Sequence, residues 1–394
     1  MNKDLPTDGV AISRVDVYVL DLPLKHVRTL SKGAVSAGQA AGDAVHPVLV
    51  RVTSSDGAAG FGRVRPPTPW LGETTSSIVS AIRHFYGPLL VGADASQRAF
   101  NARRLDQALP GNSVALAAID MAVHDLLGLT WGIPVYELLG GRRRPIPMDW
   151  SVSLNPPEVM VAECVRAVEE YGCRTLCLKS GARGQWRDDV QVFRSVRAAV
   201  GPDVEIGLDP NEGYDVATTL RVARELGDAG IAYLEQPLPR RDIQGLSALR
   251  GAVPAQIMID EGAVTLPEAA AVIAQGACDA LVLKVWKSGG FADALAMAAL
   301  AHTAGLGTTV GGVSHGSILE AAACAHLYAS CEPGPLAAEF ILGLNVLDPD
   351  PITELPDDFQ PHGGMALPPS GPGLGVGVDM AEVGARTLDS FVIS

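Results

Sequence analysis

Five short apolar segments in the middle of the chain each end in a charged residue. The charged positions are Lys179, Asp209, Glu235, Asp260 and Lys284, so successive ends lie 30, 26, 25 and 24 residues apart. Each interval has room for one strand, one helix and two turns, which is the repeat of a (β/α) barrel. Because the carboxyl ends of parallel barrel strands meet at one mouth, we expect these five side chains to converge on a single site.

Composition limits the class of protein. The chain has 394 residues, 47% hydrophobic content and a formal charge of −14, which allows a barrel plus a second domain and argues against nucleic-acid or anionic-membrane binding. The six cysteines lack CxxC spacing, so neither a disulfide framework nor a zinc site is indicated. With no signal-like start and no long uninterrupted apolar run, we expect a cytoplasmic protein without a membrane span.

Three regions differ in hydrophobic pattern. Residues 1–140 combine alternating strands, an Asp56-Gly57 turn and a helical stretch, and are predicted to form an α+β capping domain. Residues 141–354 contain the strand–helix repeat and are predicted to form the barrel that carries the active site. Residues 355–394 are expected to return to the capping domain. The predicted fold class is α/β, a (β/α)7β-type modified TIM barrel with an N-terminal α+β capping domain.

Three carboxylates at neighbouring strand ends predict a metal site. Asp209, Glu235 and Asp260 offer hard oxygen ligands, and three carboxylates brought close together need a compensating cation. Mg²⁺ suits them best, with Mn²⁺ as the alternative. Taken singly, Asp209 is also typical of a turn, Glu235 of a helix N-terminus and Asp260 of a cap.

The two lysines predict acid/base chemistry. In the strand TLCLK, Cys177 and Lys179 point the same way, so Cys177 must lie in the barrel interior beneath Lys179, as Val282 must lie beneath Lys284. A lysine desolvated at an apolar strand end has a lowered pKa and can act as a base, although an isolated one often extends to solvent instead. A divalent cation and a lysine together suit abstraction of a proton α to a carboxylate, giving an enediolate.

The ordered motifs resemble the enolase superfamily, specifically its muconate lactonizing enzyme subgroup. They are LLGG at 138–141, the Lys179 segment, LDPNEGY, YLEQPLP, IDE and LVLKVWKSGG. The resemblance implies that Asp209, Glu235 and Asp260 bind Mg²⁺ and that Lys179 and Lys284 act from opposite faces of a small carboxylate substrate. It also implies that Asn211 and Glu261 orient the ligands and that residues 24–42 and 66–74 form lids. A homo-oligomer, dimer or octamer, is expected by the same analogy.

Several positions depart from that pattern. Cys177 replaces a lysine that the subgroup usually carries, and Ser314-His315 is similar instead to the mandelate racemase subgroup, so His315 is a catalytic candidate alongside a structural role. The substrate-binding candidates are Cys177, Trp150, Ser314 and Glu339. Trp150 and Trp286 are also compatible with packing positions.

Two lysines on opposed faces favour a racemase or epimerase. The expected substrate is an amino-acid derivative: N-acylated, cyclic or proline-type, betaine-type, or a dipeptide. A dehydratase acting on a hydroxy acid or hydroxyproline, for which His315 is the argument, and a cycloisomerase remain alternatives. If the protein is not an enzyme, the alternative is a catalytically silent relative with a structural or binding role.

Overall fold

The computed structural model describes residues 9–22, 26, 28–35, 46–66, 70–312, 317–332, 334, 336–344, 346 and 349–394. Two layered units are built on separate sheets. An antiparallel four-stranded sheet belongs to the N-terminal part of the chain, and a parallel seven-stranded sheet belongs to the central part. The α/β expectation is therefore confirmed at the level of sheet topology.

The N-terminal unit places strands ahead of helices. Its strands are β1 (Ile12–Leu20), β2 (Arg28–Leu30), β3 (Gly33–Val35), β4 (Val48–Ser54) and β5 (Ala59–Val64). Its helices are α1 (Thr75–Ala81), α2 (Gly87–Leu90), α3 (Arg98–Ala108), α4 (Ser113–Trp131) and α5 (Val135–Leu138), with a π-helical turn at Ile82–Tyr86. The Asp56-Gly57 turn joins β4 to β5, with Gly57 at a φ of 92° that favours glycine.

Helix α4 packs directly on β5 because two strand residues lack side chains. A Cβ atom at Gly60 would lie 2.2 Å from the main-chain nitrogen of Leu126, and one at Gly62 would lie 2.1 Å from the carbonyl oxygen of Ala118. By length and composition alone helix α4 could cross a membrane, although Asp120 and Asp125 interrupt its apolar run. However, 72% of that stretch is buried inside the protein, as in a core helix.

The central unit alternates strands and helices. Its strands are β6 (Ile146–Pro147), β7 (Asp149–Val152), β8 (Thr175–Lys179), β9 (Glu205–Asp209), β10 (Ile231–Glu235), β11 (Gln256–Ile259), β12 (Ala280–Leu283) and β13 (Gly307–Val310). Its helices are α6 (Pro157–Glu169), α7 (Trp186–Val200), α8 (Val216–Leu226), α9 (Ile243–Leu249), α10 (Leu266–Ala274), α11 (Val285–Ser288), α12 (Phe291–Thr303) and α13 (Ile318–Ser330). Short 3₁₀ turns lie at Gly227–Ala229, Ile341–Gly343 and Asp357–Phe359.

Residues 336–339 close the barrel between its first and last strands. Strands β7 to β13 form one parallel sheet in sequence order. The Asp149 N–H donates to the Ala338 carbonyl at 2.9 Å, and the Glu339 N–H donates to the Val310 carbonyl at 2.9 Å. The closing segment supplies the eighth strand position, so the predicted (β/α)7β-type modified barrel is present.

The C-terminal segment contributes to the N-terminal sheet. After β14 (Met365–Ala366) and α14 (Met380–Ala385), strand β15 (Thr387–Ile393) pairs antiparallel with β1, with Val15 opposite Ile393. This gives the sheet order β15-β1-β4-β5. The first and last segments of the chain therefore share one sheet.

Candidate active site

The five charged strand ends converge at one mouth of the barrel. Lys179, Asp209 and Glu235 are the last residues of β8, β9 and β10, while Asp260 and Lys284 directly follow β11 and β12. All five side chains are buried, the most exposed having 7% of its surface accessible. The apolar strand preceding each residue positions its side chain, and burial then makes charge pairing obligatory.

Each lysine is held by a different carboxylate. The Lys179 Nζ atom lies 2.5 Å from Asp209 Oδ2, and the Lys284 Nζ atom lies 2.5 Å from Asp260 Oδ2. Burial disfavours both ammonium charges, but neighbouring acids, Asp209 for Lys179 and Asp260 for Lys284, outweigh it and raise both pKa values. The lysine pKa values are therefore raised and not lowered as expected, because the carboxylates pair with the lysines.

Two of the three predicted metal ligands, Asp209 and Glu235, lie close enough to share a divalent cation, while both carboxylate oxygens of Asp260 accept from lysines. Ligand atoms of Asp209 and Glu235, together with the Cys177 sulfur, lie within 4.8 Å of one another. Glu235 Oε1 is buried without a hydrogen-bond partner, and burial, followed by the charge of Asp209, raises the pKa of Glu235 well above its usual range. A cation between these oxygens would remove that cost, and oxygen donors suit Mg²⁺.

Cys177 lies where strand alternation placed it. Its side chain packs with Tyr233, Met258, Ala280 and Val282 inside the barrel, and its sulfur is 3.9 Å from Lys179 Nζ. Burial raises the thiol pKa well above its usual value, so the sulfur is a neutral neighbour of the carboxylates.

Asn211 holds both oxygens of Asp209 and links them to Glu261. The Asn211 main-chain N–H donates to Asp209 Oδ1 at 2.8 Å, and its side-chain amide donates to Asp209 Oδ2 at 3.0 Å and to Glu261 Oε1 at 3.2 Å. Asn211 has a φ of 45°, in the left-handed region, and the following Glu212 has a φ of 68°. Uncommon backbone conformations of this kind persist where surrounding contacts enforce them, as these hydrogen bonds do.

Lys287 is a site residue that the sequence analysis missed. Its buried ammonium group donates to the main-chain oxygen of Asp260, to Asp260 Oδ1 and to the Val282 carbonyl, at 2.8, 2.8 and 2.7 Å. The spacing Lys284-x-x-Lys287 could have indicated that Lys287 lies beside Lys284 in the site, because residues three apart share a side of a helical turn. Gln236 was also missed: its Oε1 accepts from the main-chain N–H groups of Asp260 and Gly262.

Glu339 reaches the mouth from the closing segment. Its Oε1 accepts a hydrogen bond from Lys179 Nζ at 3.1 Å, and the charges of Lys179 and Lys284 outweigh burial and lower its pKa. The structure therefore brings Glu339 to the catalytic candidates. Ser314 and His315 lie outside the described residues.

The suggested role of Trp150 in substrate binding does not fit the structure. The residue is fully buried, its Nε1–H donates to Glu163 on α6 at 3.0 Å, and its ring packs against Tyr171. Strand register explains this position, since Trp150 pairs with Leu176 while Ser151 pairs with the inward-facing Cys177. Trp286, in contrast, lines the mouth together with Trp70 and Leu71.

A hairpin of the cap contacts the loop that follows β9, which contains Asn211 and Glu212. Strands β2 and β3 form this hairpin, and the Lys32 ammonium at its turn pairs with Glu212, which also accepts two bonds of 3.0 Å from the Arg240 guanidinium. Burial opposes the Glu212 charge, but these hydrogen bonds lower its pKa to about 2. Ser31 Oγ also donates to the Asn211 carbonyl at 3.0 Å. Within the two suggested lid stretches, 24–42 and 66–74, residues 26, 28–35, 66 and 70–74 are described.

Comparison with known proteins agrees with this geometry. Residues 14–140 match the model of the mandelate racemase / muconate lactonizing enzyme N-terminal domain, and residues 159–383 match the enolase C-terminal domain-like model. The chain is 31% identical over 316 residues to the L-Ala-D/L-Glu epimerase of Clostridium acetobutylicum, covering 80% of this chain and 87% of that enzyme. It is 30% identical to the chloromuconate cycloisomerase of Cupriavidus pinatubonensis, covering 93% of this chain and 95% of that enzyme.

A solved structure extends the likeness to three dimensions. The dipeptide epimerase from Cytophaga hutchinsonii, complexed with Mg and the dipeptide D-Ala-L-Val, superposes with a TM-score of 0.88 at 26% identity, over 98% of this chain and 100% of that one. The relatives are isomerases, which confirms the enzyme class, and the superfamily and subgroup inferred from the motifs are confirmed as well. The chain belongs to the mandelate racemase / muconate lactonizing enzyme family of the enolase superfamily.

Proposed function

We propose that the protein is a magnesium-dependent racemase or epimerase that moves the proton on the carbon α to a carboxylate, in a dipeptide or another amino-acid derivative. The observation that carries the proposal is the opposed placement of Lys179 and Lys284 around one carboxylate cluster. Their strands, β8 and β12, are four positions apart in an eight-position barrel. Side chains at such positions face each other across the mouth.

Opposed lysines permit inversion. One neutral lysine takes the α-proton from one face, and the other, protonated, returns a proton to the opposite face. Lys179 contacts Asp209 and Glu339, and Lys284 contacts Asp260, so both bases lie beside the acids that would hold the cation.

Asp209, Glu235 and Asp260 would hold the Mg²⁺ ion. When bound, the ion offsets the negative charge that develops on the substrate carboxylate as its α-proton leaves. Asn211 and Lys287 keep the ligand oxygens in place through the hydrogen bonds described above. We place the enzyme in the cytoplasm as a homo-oligomer acting on a small molecule.

Cycloisomerisation is the second candidate function. The chloromuconate cycloisomerase relative spans 93% of this chain, more than the 80% spanned by the first epimerase relative. A cycloisomerase would also use a lysine to transfer a proton next to a carboxylate, so Lys179 and Lys284 alone do not separate the two reactions. Substrate trials separate them.

The test is a mass-spectrometric screen in D₂O with Mg²⁺. Dipeptides, N-acylamino acids, proline and betaine derivatives, hydroxy acids and cis,cis-muconates are each incubated with the purified enzyme. A gain of one deuterium with inversion at the α-carbon supports the epimerase, whereas lactone formation from a muconate supports the cycloisomerase. Loss of water, or no exchange with any compound, would contradict the proposal. The Lys179→Ala/Lys284→Ala double variant is the background control.

A further inference from the structure

The interior of the barrel contains a cavity of about 250 Å³ beneath the mouth. Side chains at alternate positions of each barrel strand face inward, so the interior is built in levels. Asp149, Thr175 and Glu205 belong to one level, because Asp149 pairs with Thr175 and Thr175 pairs with Glu205. All three residues line the cavity. Barrels of this kind are normally filled by bulky apolar side chains, so an acidic level beside open space is unusual.

The cavity is reached from the amino-terminal face of the barrel, opposite the mouth. Glu205 and Gln256 are the first residues of β9 and β11, and both line the cavity and are exposed to solvent. The mouth, lined by Trp70 and Leu71 among others, has a cavity of only about 30 Å³. A ligand can therefore enter the interior without passing through the mouth.

The charged groups in the cavity wall are all acids. Four carboxylates line it, and among the described residues no lysine, arginine or histidine does; the acids are Asp149, Glu205, Glu235 and Glu339. Glu339 is paired with Lys179. Asp149 and Glu205, at the lower level, form no ion pair within the described part of the chain. A positively charged occupant would meet only favourable charges at that level.

Asp149 supplies a buried acceptor that lacks a donor. Its exposed fraction is 6%, its Oδ2 atom accepts the Tyr233 hydroxyl at 2.7 Å, and its Oδ1 atom is buried with no hydrogen-bond partner in the described ranges. Burial, followed by the charge of Glu339, raises the pKa of Asp149 to about 7. An ionised Asp149 therefore costs free energy that a hydrogen-bonded cation would offset.

The composition of the wall favours an organic cation over a metal ion. A metal ion needs several ligand atoms close together, and the group of acids and thiols that meets this condition in the described residues contains Asp209 but neither Asp149 nor Glu205. Met258 and Val282 also line the cavity and offer apolar contacts. A primary ammonium needs only a few acceptors, and its alkyl chain suits apolar surface.

We propose that the barrel interior binds a small organic cation, a primary ammonium on a short alkyl chain, which enters from the amino-terminal face and donates to Asp149 Oδ1. Glu205 attracts the cation at the rim, and Met258 and Val282 contact its alkyl chain. The acidic wall repels carboxylates, so this ligand is not the substrate of the proposed reaction. The inference does not rest on the proposed function.

Calorimetric titration with n-butylammonium chloride tests the site in the full-length protein. The titration is run at pH 8 with excess Mg²⁺, so that the cation does not compete for the proposed magnesium ligands. We expect saturable binding of one cation per chain, and no binding of 1-butanol, which has the same alkyl chain without the charge. Asp149→Asn should weaken binding about tenfold or more, as expected for loss of a charge-assisted hydrogen bond. An equal response to sodium chloride would overturn the proposal.

Two further variants separate the site from a folding defect. Ala232→Leu keeps Asp149 but fills part of the cavity that Ala232 lines, and it should abolish binding. Asp189→Asn is the matched control, because Asp189 is also a buried acid that accepts from a tyrosine, Tyr214 at 2.6 Å, yet does not line the cavity. It should bind n-butylammonium with native affinity. Equal weakening in Asp189→Asn, or native affinity in both Asp149→Asn and Ala232→Leu, would overturn the proposal.

A crystal structure with n-butylammonium locates the ligand directly. Its nitrogen should lie within hydrogen-bonding distance of Asp149 Oδ1. Water alone in the cavity, or the cation bound only elsewhere on the acidic protein, would overturn the proposal. Neither measurement depends on turnover, so absence of exchange in the D₂O screen would count against the proposed function and leave this site standing.

Discussion

Lys287 donates to Asp260 twice, to its main-chain oxygen and to its Oδ1 atom, at 2.8 Å each. Lys284 occupies the other carboxylate oxygen, Oδ2. Asp260 thus has one oxygen fixed by a lysine that makes three hydrogen bonds, and one held by a lysine that is proposed to transfer a proton. The two lysines, three residues apart, therefore have different roles.

Lys287→Met should weaken metal binding without unfolding the protein. Methionine fills similar space, and removing a group that orients a metal ligand typically costs about 10–100-fold in metal affinity or activity. Because methionine leaves the two main-chain oxygens and Asp260 Oδ1 without their donor, the thermal midpoint of the metal-free protein should fall. Magnesium titration by calorimetry and thermal unfolding measure both quantities. Unchanged magnesium affinity would show that Asp260 does not need Lys287.

Lys179→Ala and Lys284→Ala should each stop epimerisation while leaving one half-reaction. Loss of a general acid/base typically costs about 10²–10⁴-fold in rate. If the lysines act on opposite faces, each single variant should still exchange the α-proton of one epimer with D₂O, and the two variants should prefer opposite epimers. Proton NMR in D₂O measures this exchange. Full turnover in both single variants would refute the two-base arrangement.

Glu235→Gln should separate stability from metal binding. Glu235 has a buried oxygen without a partner, and burial with the nearby charge of Asp209 raises its pKa, so its ionised form costs stability at neutral pH. A neutral amide removes the charge repulsion with Asp209, so the metal-free variant should be at least as stable as the native protein. The stabilisation that magnesium gives the native protein should disappear. Denaturant unfolding with and without Mg²⁺ tests both effects, and a destabilised metal-free variant would contradict the argument.

Strand-end spacing predicted the barrel and the grouping of its charged residues because both follow from the regular strand–helix repeat. What could not be predicted depends on register and on contacts between distant segments. Trp150 faces the outer helices because β7 pairs with β8 in a register that its own sequence does not specify. The Tyr233–Asp149 bond joins residues 84 positions apart, and Glu339 arrives from a closing segment with no helix-strand rhythm of its own.

Glu212→Gln should loosen the contact between the cap hairpin and the loop that follows β9. Glu212 accepts hydrogen bonds from Lys32 of the hairpin and Arg240 of the barrel, and its charge sustains both contacts. We expect a KM increase of several-fold with a smaller change in kcat, together with faster limited proteolysis within residues 28–35. Arg194→Gln, which breaks the exposed pair with Asp228, is the matched control and should change neither. Equal proteolysis rates in Glu212→Gln and native protein would count against a restraining contact.

His326 should make the fold sensitive to mild acid. It is fully buried in α13, accepts from the Tyr136 N–H at 3.2 Å, and has its Nε2 atom 3.2 Å from the Leu374 carbonyl, so it connects the barrel, the cap and the C-terminal segment. Burial lowers its pKa to about 4. The native state therefore keeps the ring neutral while the unfolded chain, with a pKa near 6.5, binds a proton as pH falls.

Stability from His326 is therefore fully present above about pH 6.5 and is lost as pH falls towards 4. At pH 5 the loss amounts to about 2 kcal/mol relative to pH 8, and it approaches about 3 kcal/mol once the native ring is also protonated. Buried acids with raised pKa values, such as Asp125 at about 7, titrate with the opposite sign, so the contribution must be isolated by difference. Denaturant unfolding of native protein and His326→Gln from pH 8 to 5 should show a smaller acid loss in the variant. His302→Gln, at an exposed position of α12, should follow the native profile, and parallel profiles for native protein and His326→Gln would remove His326 as the cause.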